Sequence, residues 1–510
     1  MGKANRTKRA DQEAKQLAAE QKKQAQAAAQ KKARRNKIIG IVCAVLAVAL
    51  VGSTLAYNKM VSSGFFMRQT IAASTENFEL DQTHASYFYN SIYSNFMNSY
   101  GDMASAYFGL DTSKSLKSQS CAMLESGTWF DYFMTSAKSD MTNILLFAEE
   151  AKARGLELDK DDKKQIDEAI SALKKAAKTA GVSKSYYIHA TYGAGVSEKD
   201  LRDVLELSAL YTKCYGALTE AYNFTSDDYN AYKKEHEDDL KQIDYATFTM
   251  TTSDTTNADD ISVDILKKFV DRFKAAKNLE AFQKIAEEYL RDYMYKGKTD
   301  ITDEDIKADL DAMIVKGASY VEENEFSEWA FDKSRKANNT YSSANEDGTA
   351  QYVYILTSTA AIDESQTKNV RHILLTTNTY ETAEAAKAKA EEILAQVSGA
   401  GAEKFAELAA EYSEDSSAAN GGLLENVAAG KTTDSFDAWL FDSARKVGDT
   451  GIVESEYGYH VVYMEGDGLK AWEAAAHSAL WNEKYQEDYA AIAAKYPITF
   501  NDAALYAING

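Results

Sequence analysis

The chain has 510 residues, a net charge of −21, 45% hydrophobic residues and a single proline. That length exceeds one ordinary core and leaves room for about three folded units. The acidic, tyrosine-rich composition lacks the clustered Lys and Arg that phosphate binding requires, which excludes nucleic acid as a partner.

Charge is spread unevenly. Residues 1–37 carry 12 Lys and Arg against 3 acids, leaving −30 for the remainder. Next comes Ile38–Ala56, 19 residues without a charge and long enough to cross a hydrocarbon core as a helix. With Lys31, Lys32, Arg34, Arg35 and Lys37 abutting it, the positive-inside rule predicts a basic cytoplasmic segment (1–37), one transmembrane helix (38–57) and an extracytoplasmic remainder. A cleaved signal peptide is the rival reading, with Thr54 and Ala56 as small residues before a cut; a polar leader this long and an apolar run this extended count against it. Cys121 and Cys214, the two cysteines beyond the apolar run, form either one bridge or two buried thiols.

Residues 58–241 read as a helical domain. Ile144, Phe147, Ala148 and Ala151 recur at helical spacing before Gly155. Asp159 can cap a helix striped by Ile166, Ala169, Ile170, Leu173 and Ala177, and Ser197 with Asp200 forms a capping box ahead of Leu201, Val204 and Leu205.

Two stretches some 110 residues apart then read alike, FSEWAFDKSRK (326–336) and FDAWLFDSARK (436–446), with matching segments before and after each. Residues 242–357 and 366–468 are therefore predicted to be two copies of one α+β unit. A helical segment, 469–510, closes the chain.

The second copy carries VRHILL (370–375), FAELAAEYSEDSSAANGG (405–422), SFDAWLFDSARKVGD (435–449) and GIVESEYGYHVV (451–462). In order and content these blocks resemble the parvulin family of peptidyl-prolyl isomerases, and the helices of 58–241 resemble the chaperone region of PrsA-like and SurA-like foldases. The resemblance implies an α+β fold throughout: transmembrane helix, helical chaperone-like domain, two parvulin-like domains and a C-terminal helix packing on the chaperone domain. It places His372 and His460 at the parvulin histidine pair, Asp415 near the carbonyl of the rotating bond and Ser455 at the site's hydroxyl. Leu424, Val427, Thr432 and Phe436 are implied for the proline pocket. The family usually has an aromatic where Asn426-Val427 stands and a Met where Thr432 stands, so a shallower, less apolar pocket is expected. In the first copy Thr247 and Gln351 fall at the two histidine positions, and no activity is expected there.

The implied function is prolyl isomerisation in exported, unfolded polypeptides by a membrane-anchored foldase, with no cofactor and no metal. His84, His189, His236 and His477 are scattered without metal-ligand spacing. The alternative is a non-catalytic, membrane-tethered holdase that uses its parvulin folds as peptide-binding platforms.

Overall fold

The computed structural model describes residues 53–54, 57–101, 103–252, 261–380 and 382–508. Apart from Ser53, Thr54 and Tyr57, the predicted membrane segment lies outside the described residues, as does the basic leader. Among the described residues no helix is long and apolar enough to cross a membrane. The chain forms two units: residues to Ala221 together with Gln486–Gly510, and Tyr222–Tyr485.

The first unit is built on α1 (Gln82–Tyr100), α2 (Trp129–Ala153), α3 (Lys160–Thr179), α4 (Lys184–Tyr192) and α5 (Glu198–Thr219). Its core is aromatic, with Trp129 stacked on Phe133 and Phe96 packed against both. The predicted starts are present: Asp159 accepts from the Asp161 and Asp162 amides, and Ser197 and Asp200 form their capping box. Ile166, Ile170 and Ala177 are the buried stripe of α3. Three short strands in this unit, β1 (Ile71–Ser74), β2 (Glu79–Asp81) and Thr499–Phe500, make one small sheet. Segments this brief carry too few alternations to be read as strands from sequence. Cys121 and Cys214 are both buried and free.

Arg68 grips Asp200 through Nε at 2.9 Å and Nη2 at 2.5 Å, while Asp200 also accepts from the Ser197 amide. Asp200 is almost fully buried and the Arg68 side chain about a quarter exposed. Removing one partner of a buried pair strands the other charge, at a cost of about 3 to 5 kcal/mol when burial is complete. Partial exposure of Arg68 brings Arg68→Ala below that range, to about 2 to 3 kcal/mol. Chemical denaturation followed by circular dichroism checks this.

The second unit contains both α+β copies. The first runs β3 (Lys241–Thr251), α6 (Val263–Lys274), α7 (Leu279–Tyr289), β4 (Ile314–Ser319), α8 (Glu325–Phe331), β5 (Thr340–Ala344) and β6 (Ala350–Leu356). The second runs β7 (Gln366–Leu375), α9 (Ala383–Val397), α10 (Ala402–Tyr412), β8 (Leu423–Val427), α11 (Asp434–Leu440), β9 (Thr450–Ser455) and β10 (Gly458–Lys470). Strand orders coincide, β4-β3-β6-β5 and β8-β7-β10-β9, all antiparallel. Side chains repeat as well: Arg335 Nε donates to the Trp329 carbonyl at 3.2 Å, as Arg445 Nε does to Trp439. Each guanidinium also lies over its tryptophan ring.

This matching corrects one expected equivalence. The Thr247 amide donates to Met313 O as the His372 amide donates to Gly422 O, so Thr247 does occupy the first histidine position. At the second, the Asn338–Leu356 and Gly448–Met464 backbone bonds align Leu356 with Met464. Counting back along the strand puts Tyr352, not Gln351, at the place of His460. Neither position holds an imidazole.

The predicted segment 469–510 is divided between the units. Helix α12 (Ala471–Lys495) begins in the second, where Trp472 and Ala476 are buried. Ala504, Leu505 and Ile508 join the core of the first.

Candidate active site

Strands β7 and β10 pair with His372 opposite Val462 and Leu374 opposite His460. Residues two apart along a strand face the same way, so the two imidazoles share one sheet face. Their Nδ1 atoms are 3.1 Å apart, and Phe436 from α11 presents its ring edgewise to both. Asp415 caps a short turn, Ser416–Asn420, that closes on Gly421 in the left-handed region. Arg371 on β7 holds that turn by donating to the Asn420 and Gly421 carbonyls at 3.2 and 3.0 Å.

The network fixes the protons. His372 Nε2 lies 3.1 Å from Asp415 Oδ1 and 3.2 Å from Ser417 Oγ, while the Ser417 hydroxyl donates to Asp415. An ionised carboxylate only accepts, so His372 carries its proton on Nε2 and leaves Nδ1 as acceptor. His460 must then donate from Nδ1, and its Nε2 accepts from Ser455 Oγ at 2.7 Å. The Tyr457 amide donates to Ser455 Oγ in turn. This assignment, inferred from the hydrogen bonds, satisfies every member with both rings neutral.

The electrostatics agree. Burial lowers the His460 pKa from 6.5 to about 4, with His372 beside it adding to the effect. Burial also lowers His372, against the pull of Asp415. Burial opposes ionisation of Asp415, but the Ser417 hydroxyl and amide and then His372 hold its carboxyl below the usual range. A histidine whose folded pKa lies below its unfolded value binds fewer protons when folded, so stability rises with pH between the two values. The stabilising contribution is full above pH 6.5 and is lost as pH falls toward about 4. Asp415 acts in the same direction at lower pH. The melting temperature of the wild type is expected to drop across pH 6.5 to 4 more steeply than that of His460→Asn, as read by calorimetry.

Above the pair opens a cavity of about 380 Å³ lined by His372, His460, Leu424, Thr432 and Phe436. Val427, expected in this wall, is not: it pairs with Lys368 beyond a register shift in β8 and packs against the apolar cluster of Val370 and Phe436. Asp415 and Ser455 do not line the cavity either; each binds the outer nitrogen of one imidazole, which makes them positioning residues. Four lining residues were not anticipated: Lys431, Thr433, Glu456 and Tyr457. Thr433 Oγ1 is buried there without a hydrogen-bond partner. Lys431 Nζ donates to the Lys316 and Gly317 carbonyls of β4, so the first copy anchors the loop that carries Thr432 and Thr433. Only the adjacency of Lys431 to Thr432 could have drawn attention to it in the sequence, whereas Ser417 and Arg371 gave no signal apart from the folded turn.

Two buried neutral imidazoles lie beneath a cup walled by Leu424 and Phe436. Residues 354–467 match the family of PPIC-type PPIASE domains. The chain carries a parvulin-type domain. Over 98 residues it is 42% identical to the putative peptidyl-prolyl cis-trans isomerase NifM of Azotobacter vinelandii, covering 18% of this chain and 32% of that one. Over 63 residues it is 41% identical to foldase protein PrsA 1 of Listeria innocua, covering 12% and 21%. The chain thus spans a third or less of the length of these curated relatives. Among solved structures, PrsA from Bacillus subtilis is similar at 18% identity over 59% of this chain and 89% of that one, with a TM-score of 0.18. The parvulin assignment rests on the sequence match and on the local geometry of the histidine pair.

Such a site needs only to prefer the twisted amide. Rotation about an Xaa-Pro bond faces a barrier of about 18 to 20 kcal/mol because the planar amide is conjugated. In this parvulin cup the pyrrolidine ring can rest on Leu424 and Phe436 above the paired imidazoles. Dipoles fixed in advance around an oxygen that loses conjugation favour the transition state over both planar isomers.

Proposed function

We propose that the protein is a membrane-anchored, extracytoplasmic foldase whose second α+β copy catalyses peptidyl-prolyl isomerisation in exported, unfolded polypeptides. The carrying observation is the neutral His372–His460 pair under an apolar cup. His372, His460, Leu424, Thr432 and Phe436 contact the substrate, while Asp415 and Ser455 orient the imidazoles. The first copy, with Thr247 and Tyr352 at the histidine positions, contributes no turnover and serves to anchor the Lys431 loop. The uncharged run Ile38–Ala56 behind a basic leader supports the anchor and the N-in topology.

A second reading has support of its own. Lys431, Thr432 and Glu456 add polar groups to the wall of the mainly apolar cup, which suits a holdase platform as well as a proline site. Refolding of a client limited by proline isomerisation separates the two. The foldase reading predicts acceleration by catalytic amounts of the full chain and its loss in Phe436→Ala; suppression of aggregation with no change in refolding rate supports the holdase.

A further inference from the structure

The first unit contains a second cavity, of about 400 Å³, between α1, α2 and α5. Tyr87 and Phe88 from α1, Asp140 from α2 and Tyr211 from α5 line it, and the exposed Asn95 and Thr212 lie at its edge. Asp140 is only partly exposed, and burial raises its carboxyl above the usual range. Other acids withdrawn from solvent in this unit are satisfied. Asp81 is bonded by Thr83 and His84, Glu149 by Asn77, Glu150 by Arg154 and Tyr496, and Asp200 by Arg68 and Ser197. Among the described residues Asp140 has no hydrogen bond and no ion pair. A carboxylate withdrawn from water without compensation costs free energy, so such groups are paired or await a partner.

The surroundings specify that partner. No Lys or Arg lines the cavity, and aromatic rings do. A carboxylate among aromatic side chains is complementary to a guanidinium or ammonium group, which gains an ion pair and attraction to the rings together. We infer that this cavity binds the basic side chain of an extended polypeptide, arginine in preference to lysine, and so adds a charge-selective client site to the proline site of the other unit. The opening beside Asn95 and Thr212 lets a side chain enter while its backbone stays in water, and the large negative charge beyond residue 37 draws basic segments toward it. The inference rests on the foldase reading for the nature of its client but on separate residues for its chemistry.

The test uses the full chain and labelled, unstructured peptides with one central arginine or its neutral isostere citrulline, followed by fluorescence anisotropy. Wild type is expected to bind the arginine peptide at least tenfold more tightly. Asp140→Asn should erase that difference, Asp140→Glu should restore part of it, and the Asp140→Asn melting temperature should equal or exceed that of wild type. An unchanged preference in Asp140→Asn, or a lowered melting temperature that marks a structural role, overturns the site. Displacement of the peptide by free arginine at equal concentration overturns the polypeptide as occupant. Prolyl isomerisation is measured on the same samples: unchanged turnover in Asp140→Asn with lost arginine preference supports the site. Absence of turnover in wild type, with arginine preference intact, rejects the foldase reading and leaves the cation site standing.

Discussion

His460→Ala is expected to lower kcat/KM toward Xaa-Pro peptides by about ten- to a hundredfold, in a coupled fluorescence assay, without moving the unfolding transition of the helical unit. The substitution removes the only proton available to His372 Nδ1 and the acceptor of the Ser455 hydroxyl. Each buried polar group left unpaired costs about 1 to 3 kcal/mol, and each 1.36 kcal/mol is about tenfold in rate. The loss falls on turnover more than on KM, because Leu424 and Phe436 still hold the ring. The helical unit has a core of its own, to which His460 contributes nothing, so its transition is expected to stay put.

Gly422→Ala carries the largest expected penalty to stability. Gly422 has φ +73°, and a Cβ placed on it would lie 2.3 Å from the carbonyl oxygen of His372. The left-handed backbone disfavours a side chain by about 1 to 2 kcal/mol. Relieving the contact pulls β8 from β7 and breaks the bond from the His372 amide to the Gly422 carbonyl, which adds about 1 to 3 kcal/mol. Together these give a loss of about 2 to 5 kcal/mol, read as a lowered denaturant midpoint. Loosening this edge also frees Leu424, so activity falls along with stability. The first copy has Met313 at the corresponding backbone bond, which shows that the glycine serves the second copy's tight Gly421-Gly422 turn rather than the fold in general.

Much of this was legible in the sequence for identifiable physical reasons. Asp159 and Ser197 announced their helices because capping is local, settled within four residues. His372 and His460 stood out because two β-prone runs each carried one imidazole within otherwise ordered, family-like blocks. Tyr352 lies one position from the residue read as equivalent because the connection between β5 and β6 is longer than that between β9 and β10, which shifts the count along the strand. A slip of one residue exchanges the faces of a strand, which is why Gln351 looked equivalent when it is not. Val427 was misplaced for a related reason, since the register shift in β8 turns it from the cavity toward the core. Ser417, Thr433 and Lys431 were invisible because their roles arise only when loops distant in sequence close on the histidine pair and on β4.

The division of labour among these residues has a simple electrostatic logic. Asp415 and Ser455 sit at the two outer ends of one proton-ordered chain, and each fixes the tautomer of the ring it touches. The cavity therefore faces two neutral imidazoles whose dipoles cannot reorient without breaking a buried hydrogen bond. Lys431 extends that constraint to the neighbouring copy, where strand β4 supplies two carbonyl acceptors.

Magnetisation exchange between the cis and trans forms of a short Ala-Pro peptide, recorded by proton NMR with catalytic amounts of the full chain, tests the central claim most directly. Wild type should give exchange cross-peaks on a sub-second mixing time, and the His372→Ala, His460→Ala double variant should give none. Cross-peaks of equal intensity from both proteins, or none from either, would contradict prolyl isomerisation at this histidine pair.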